Sequence, residues 1–126
     1  IADLGNHRVL ITDDRYNLLR IIGGYGQNTR VGGKARFIFP TRVAVSADPS
    51  GVEFNGQLRY RKTLIYVADL NGVHLVDSQG YYLDTVVDSS DMNSLFYSIS
   101  VDGYGSGAKL AVFDKTNMRL LKFSIR

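Results

Sequence analysis

The chain of 126 residues contains no cysteine and no tryptophan, and only 2 prolines. Without cysteine it can form neither a disulfide framework nor a thiolate metal site, and it has no cysteine nucleophile. No apolar run approaches the roughly 20 residues that a membrane-spanning helix requires, so we expect no membrane partner. With 44% hydrophobic and 21% charged residues, the composition is that of a globular domain rather than a disordered tail.

The sequence also lacks an initiator methionine and a recognisable targeting segment. It begins at Ile1, and residues 1–5 have the pattern of a strand that is ending. We therefore expect a piece of a longer protein. A chain without cysteine is compatible with the cytoplasm, which is the compartment we expect.

Positive charge is missing from one long segment. Residues 63–105 contain six aspartates and no lysine or arginine, whereas residues 30–62 carry seven basic side chains and two acidic ones. The formal net charge of +3 therefore conceals an uneven distribution. Such blocks predict surface patches of opposite sign.

Helical periodicity is absent as well, because no long window shows apolar residues at a spacing of about 3.6 with caps at both ends. The apolar residues are mostly β-branched or aromatic, and they occur in short runs between turn signals such as Asn71-Gly72 and residues 78–80. The sequence therefore predicts an all-β fold of about ten short strands.

These strands repeat along the chain. Residues 11–22 align without a gap with residues 76–87: in both, a strand ends, a short turn follows, and a tyrosine begins the return. Residues 41–46 match residues 97–102. The repeat predicts units of four antiparallel strands connected as a meander, which is typical of β-propeller blades of about 40–45 residues.

The repeat divides the chain into parts of three blades. We predict a blade remnant at 1–23, a complete blade at 37–88 with a long insertion at 48–62, and a blade without its last strand at 95–126. The predicted strands are 8–12 and 18–22 in the first unit, 41–47, 63–69, 73–77 and 82–87 in the second, and 97–102, 109–113 and 118–124 in the third.

A polar element, Asp-x-x-Asn-x-Arg, recurs at the turn between the second and third strands of a unit. Its members are Asp3, Asn6 and Arg8, then Asp114, Asn117 and Arg119, with Asp69 and Asn71 as a partial match. Because the element recurs, we predict a structural role in ion pairing or in capping turn amides. Asp69 has no arginine partner, so we do not expect the pairing in every unit.

Residues 2–9, Ala-Asp-Leu-Gly-Asn-His-Arg-Val, resemble the signature of NHL-repeat β-propellers. Residues 39–45 are similar to the segment by which that family enters its inner strand, and residues 65–69 are similar to its second strand. The resemblance implies an incomplete propeller from a ring of about six blades. It also implies protein or RNA binding, as in the NHL domains at the C-terminal end of animal RING-type ubiquitin ligases of the TRIM-NHL kind.

An arc of blades leaves apolar sheet faces and strand edges uncovered at its two ends. We therefore expect the remaining blades of the same protein, or a second copy, to cover them.

The long loop at 24–36 is rich in glycine, with interleaved basic and aromatic residues. We predict that it lies on the propeller face that also carries the turns of the polar element. The candidate ligand-binding residues are Tyr25, Arg30, Lys34 and Arg36 of the loop, with His7 and Met118 of the turns. A second basic cluster is predicted on the opposite face, formed by Arg59, Tyr60, Arg61 and Lys62.

Three functions fit these residues. The first is a non-enzymatic scaffold that binds a protein or peptide. The resemblance implies that such a scaffold is the substrate-recognition part of a ubiquitin ligase. The second is binding of single-stranded RNA, whose bases stack on aromatic rings and whose phosphates pair with cations. The acid-only segment 63–105 would repel a phosphate backbone, so we place the protein partner first.

The third function is a metal-dependent lyase of the peptide-amidating type, a family with an NHL-like propeller. His7 and His74 are the only histidines, and neither belongs to a paired metal-binding motif. We predict His7 as a turn residue and His74, which alternates with Val73 and Leu75, as a strand surface residue. We therefore expect no catalytic residue, metal or cofactor.

Overall fold

The computed structural model describes residues 1–55, 58–88, 96–104 and 107–125, without the side chains of 48–62, 96 and 97. The strands are β1 (Ala2–Asp3), β2 (Arg8–Thr12), β3 (Leu18–Gly23), β4 (Arg42–Asn55), β5 (Leu58–Asp69), β6 (Gly72–Asp77), β7 (Tyr82–Asp88), β8 (Phe96–Asp102), β9 (Lys109–Asp114) and β10 (Arg119–Ser124). Within these residues, the helical structure is limited to a single 3-10 turn at Leu4–Asn6. No described segment is a helix with the length and apolar character that crossing a membrane requires.

The strands form three antiparallel sheets, in the order β1-β2-β3, β4-β5-β6-β7 and β8-β9-β10. Within each sheet, neighbours in the chain are neighbours in space, which is the connectivity of a meander. The all-β prediction of partial blades is confirmed. Strands β2, β3 and β6 to β10 lie within one residue of their predicted bounds.

The insertion at 48–62 differs from the prediction of a long connection. Strands β4 and β5 continue into it as one hairpin, with Val52 opposite Arg61 and Asn55 opposite Leu58, after a register shift that follows Ala47. The physical reason is local, because apolar and polar residues alternate from Val52 to Asn55 as in a strand. The side chains of the predicted second basic cluster, Arg59, Tyr60, Arg61 and Lys62, lie outside the described residues.

The middle sheet is covered on both faces, because successive residues of β5 point to opposite sides. One face packs on the first sheet in a core cluster formed by Val9, Ile22, Ala35, Phe37, Ile65, Val67 and Val76. The other face packs on the third sheet in a cluster whose members include Tyr66, Ala68, Val73, Leu75, Leu110 and Val112. Burial on both sides explains why residues 65–68 form a continuous apolar run.

The first sheet is covered on one side only. Val9 and Ile22 pair across β2 and β3 and face the middle sheet. The next pair, Leu10 and Ile21, points to the opposite side. On this outer face Ile21 is 48% exposed and Leu19 is 64% exposed. The first sheet therefore presents apolar side chains to solvent on the side away from the middle sheet.

Candidate functional site

A bridging segment, residues 37–41, connects the first two sheets at the ends that carry their polar turns. The Phe39 N–H donates to Nδ1 of His7 at 3.0 Å, and the Ile38 N–H donates to Oδ2 of Asp69 at 2.9 Å. The bridging segment is thus fixed to one turn of each sheet by adjacent amides. Side chains that it carries outward have a rigid support.

An aromatic patch, formed by His7, Tyr25 and Phe39, lies on this support. The ring centroid of His7 is 4.5 Å from that of Phe39 and 5.0 Å from that of Tyr25, which it meets edge-on. Tyr25 is 69% exposed and Phe39 is 42% exposed. Leu70, 46% exposed, lies beside the bridging segment, where its N–H donates to the Ile38 carbonyl at 3.0 Å.

The backbone at Phe39 is unusual, because its φ of +50° lies in the left-handed region that non-glycine residues seldom adopt. Pro40 follows and is fully buried. Sequence reasoning assigned Phe39 to the approach of an inner strand and missed it as a surface group. The conformation occurs where the adjacent amides of Ile38 and Phe39 bond to residues distant in the chain, and no local sequence pattern indicates such contacts.

Arg36 lies beside the aromatic patch. A Cβ atom added to Gly24 would be 2.9 Å from Nη1 of Arg36, and one added to Gly26 would be 3.5 Å from its Cβ. The two glycines flanking Tyr25 therefore leave room for the arginine to lie against the loop. Asn28 holds the Arg36 backbone by donating to its carbonyl at 2.9 Å and accepting from its N–H at 2.7 Å.

The rest of the loop does not follow the prediction. Its stretch 32–35 pairs with the beginning of β7: the Gly32 N–H donates to the Tyr82 carbonyl at 2.7 Å, and Lys34 bridges Tyr81. This position is at the opposite end of β6 from Leu70, so Lys34 is far along the sheet from the aromatic patch. The physical reason is that β7 is an edge strand, whose free backbone groups pair with the glycine-rich loop.

The other predicted residues are placed separately. Arg30 is exposed within the loop. Met118 lies in the turn between β9 and β10 and is 74% exposed. It has a left-handed φ of +52°, close to the +53° of His7, so the two residues occupy matching turn positions in different sheets. Of the predicted set, the structure therefore brings His7 and Tyr25 into contact and places Arg36 against the glycines on either side of Tyr25.

His74 is not the surface residue that we predicted, since it is 4% exposed. Its Nε2–H donates to Oδ1 of Asp69 at 2.8 Å, and its Nδ1 is 2.9 Å from Oγ1 of Thr85, which is 2.7 Å from the Tyr82 hydroxyl. The Asp69 oxygen also accepts the N–H of Asn71 at 2.8 Å. His74 is buried because the first sheet covers its face of β6, where the Phe37 ring lies 6.4 Å away.

Asp69 has no arginine partner, but the expectation that its unit lacks the pairing must be corrected, because His74 takes the place of the arginine. Asp3 pairs with Arg8 at 2.8 Å and Asp114 with Arg119 at 3.0 Å, at the same five-residue spacing that separates Asp69 from His74. That spacing was the signal in the sequence. The turn between β5 and β6 contains two residues, whereas the corresponding turns of the other sheets contain four. His74 therefore lies within strand β6, opposite Val67, and its match to the two arginines was not recognised in the sequence.

A polar cleft of about 320 Å³ opens above this buried network. It is lined by Gln27, Asn28, Asn71, His74, Thr85 and Asp88. Both nitrogens of the His74 ring are engaged by protein groups, and His7 lies in the separate aromatic patch. Among the described residues, no three histidine, aspartate or glutamate side chains converge as metal ligands.

Among the described residues, three ionisable groups have clearly shifted pKa values, namely Asp3, Asp13 and Tyr66. The Arg8 guanidinium, and to a smaller degree the Asn6 amide, lower the pKa of Asp3 below its ordinary value of 3.8. Burial raises the pKa of Tyr66 above 10.0, with a smaller contribution from Tyr104. Among the described residues, the Tyr66 hydroxyl is the buried side-chain group without a hydrogen-bond partner.

The chain matches no protein-family model, no curated protein and no solved structure. The function must therefore be inferred from the residues and geometry of the chain itself.

Proposed function

We propose that this chain is a non-enzymatic recognition scaffold that binds a protein or peptide at the aromatic patch. The observation that carries the proposal is the pair of exposed rings, Tyr25 and Phe39, both packed against the ring of His7. Exposed aromatic side chains on a fixed backbone are typical anchors of protein interfaces, because they bury a large area and lose little side-chain entropy.

The charge beside the patch indicates the kind of partner. Arg36 lies against the glycines that flank Tyr25, so a guanidinium lies next to the backbone of the loop that carries the exposed ring. A guanidinium binds carboxylates through paired hydrogen bonds and stacks on aromatic groups. We therefore propose a partner segment that combines an apolar or aromatic side chain with an acidic one.

Single-stranded RNA is the competing proposal, because stacking rings and a cation also suit bases and phosphates. The two proposals differ in their salt dependence. Each phosphate contact releases counterions, so the affinity for RNA must fall steeply between about 50 and 200 mM salt. The affinity for a peptide that binds mainly through the two rings must fall much less over the same range of salt.

We also propose that the three sheets are blades of an NHL-like propeller, whose remaining blades or a second copy cover the outer sheet faces. Two observations support this. The Asp–Asn–Arg contacts of the first turn recur in the third, with Asn6 3.0 Å from Asp3 and Asn117 2.9 Å from Asp114. The outer face of the first sheet exposes apolar side chains. A place in a ubiquitin ligase rests on the resemblance alone.

The test uses peptides selected on the purified chain from a displayed random library, measured by calorimetry or fluorescence anisotropy. The patch variant combines Tyr25→Ser with Phe39→Asn, since asparagine tolerates the left-handed backbone that Phe39 adopts. The matched control is Tyr16→Asn, which also replaces an exposed aromatic residue with a positive φ, at +65° in the β2–β3 turn.

We expect the patch variant to weaken peptide binding by about tenfold or more, and the control to leave it unchanged. Arg36→Gln should weaken the binding of acidic peptides more than that of neutral ones. The proposal is wrong if selected peptides bind the patch variant as tightly as the unmodified chain. It is also wrong if single-stranded RNA binds more tightly than any peptide and with the steep salt dependence described above.

A further inference from the structure

A second concave site, the basic cleft, lies between β3 and the turn that connects β6 with β7. Its volume is about 390 Å³. Its lining includes the side chains of Arg20, Lys34 and Arg36, with Gln79 and Tyr81. Three of these side chains are cationic, and none of the residues lining the cleft is an aspartate or a glutamate.

Three separate segments of the chain build the basic cleft. Arg20 comes from β3, and its Nη1 donates to Oε1 of Gln79 in the β6–β7 turn at 2.6 Å. Lys34 is brought there by the backbone bridge of the loop to Tyr81. Arg36 is held by the Asn28 side chain. The convergence of the three cations is thus produced by the fold and by the loop placement that sequence reasoning did not anticipate.

The β6–β7 turn lies against β3 where the two segments line the cleft. Gly80 has a φ of +94°, and a Cβ added to it would be 3.4 Å from the Ile22 side chain. The Ala35 N–H donates to the Gly80 carbonyl at 2.9 Å, which fixes the loop against this turn. Tyr81 is 43% exposed at the side of the cleft. The cations therefore line a concavity whose loop and turn are joined by a backbone hydrogen bond.

Three like charges around one concavity repel one another unless an anion occupies it. We infer that the basic cleft binds a phosphate monoester, carried by a phosphorylated peptide segment. A monoester has close to two negative charges at neutral pH and three acceptor oxygens, which match three cationic donors in one compact site. The inference goes beyond the proposed function and does not require the aromatic patch.

The compactness of the site favours a monoester over a nucleic-acid backbone. An RNA strand carries one charge per phosphate and is followed by a row of cations along a groove. The middle sheet instead carries acidic residues, with Asp77 at the end of β6 and Asp84 and Asp88 along β7, and it has no lysine or arginine between residues 63 and 105. A strand extending over this sheet would meet negative charge.

The experiment titrates the isotope-labelled chain by NMR with phosphoserine, inorganic phosphate, unphosphorylated serine and a short oligouridylate. The cleft variant is Arg20→Gln with Lys34→Gln. It leaves Arg36 in place, so the aromatic patch is intact and failure of this inference can be distinguished from failure of the proposed function. The matched control is Arg30→Gln, an exposed cation of the same loop that does not line the cleft.

We expect phosphoserine and inorganic phosphate to shift the amide signals of Gly23 and Gly80, and serine to leave them unshifted. Phosphoserine should bind at least about tenfold more tightly than serine. The cleft variant should lose about tenfold or more of this affinity, and the Arg30 control should lose none. If the double variant does not keep the native spectrum, Lys34→Gln alone, at an exposed side chain, is expected to weaken binding in the same direction.

Three results would overturn the inference. The first is an unchanged phosphoserine affinity in the cleft variant or in the Lys34→Gln single variant. The second is the absence of signal shifts at Gly23 and Gly80 at saturating phosphate. The third is tighter binding of the oligouridylate than of phosphoserine at the same amides, which would assign the cleft to RNA.

Discussion

The side chains of Asp69 and His74 form a buried pair, with 2.8 Å between Oδ1 of the acid and Nε2 of the ring. In the first and third sheets, an aspartate five residues before an arginine makes the corresponding pair. The aspartate is the constant member, and in the middle and third sheets its carboxylate also accepts a turn amide, that of Asn71 or Asn117. The middle sheet uses histidine, whose neutral ring can be buried at lower cost than a guanidinium.

We expect Asp69→Ala to destabilise the chain by at least about 3 kcal/mol, because it leaves the buried His74 ring and the amides of Ile38 and Asn71 without their acceptor. Asp69→Asn keeps one acceptor oxygen, so its loss should be smaller. The measurement is the free energy of unfolding in urea. Asp3→Ala is the control, because the Asp3–Arg8 pair is partly exposed and should contribute much less. A loss in Asp69→Ala no larger than in the control would contradict the expectation.

Strand positions could be predicted because each strand is a local pattern, such as the apolar run 65–68 between turn residues. The burial of His74 could not be predicted. Its alternation with Val73 and Leu75 is the same pattern whether one face of the strand is covered or both faces are covered. The position of Lys34 depends on the free edge of β7, which is a property of the folded sheet. Local chemistry therefore predicted the elements, and contacts between sheets determined the sites.

The candidate site was also predictable only where a local pattern indicated it. His7, Tyr25 and Arg36 were found because turns and glycine-rich loops lie at the surface. Phe39 and Arg20 were missed, since the first depends on a left-handed backbone and the second on a contact with Gln79, 59 residues further along the chain. Distant contacts of this kind leave no trace in a local pattern.

The carboxyl group of Asp3 should titrate below 3.8, because Arg8 and then Asn6 stabilise its charged form. A pKa that is lower in the folded chain stabilises the fold above the unfolded value, and this contribution is lost as the pH falls through the folded pKa. We expect Arg8→Gln to raise the pKa of Asp3 toward 3.8, and Asn6→Ala to raise it less. Carboxyl carbon NMR measures both changes.

Asp13 provides the internal control for this titration. Its pKa is lowered mainly by the Asn17 side chain, then by the backbone N–H of Asn17 and less by that of Arg15. These groups belong to the β2–β3 turn and do not contact Arg8. Arg8→Gln should therefore leave the pKa of Asp13 in place. Equal shifts at both aspartates would indicate a general change of the fold instead of a lost contact.

Tyr66→Phe should keep or increase stability at neutral pH, by up to about 1 kcal/mol, because it removes a buried hydroxyl that has no partner among the described residues. Above pH 10.0 the difference in stability between the variant and the unmodified chain should increase. The pKa of Tyr66 is raised on folding, so the unfolded chain releases the proton first and stability falls as the pH rises beyond 10.0. The phenylalanine variant lacks this loss. Unfolding in urea at neutral and alkaline pH tests the expectation, and a variant less stable than the unmodified chain would contradict it.

Leu19 and Ile21 should make the isolated chain self-associate, because they expose apolar surface on the outer face of the first sheet. Leu19→Lys with Ile21→Lys places two charges on that face and should shift the chain toward monomer, as measured by sedimentation velocity over a range of concentrations. Val31→Lys is the control, since Val31 is 67% exposed in the loop and not on a sheet face. A chain that stays monomeric and well folded at every concentration would show that this face needs no cover, and the proposal of covering blades or a second copy would then fail.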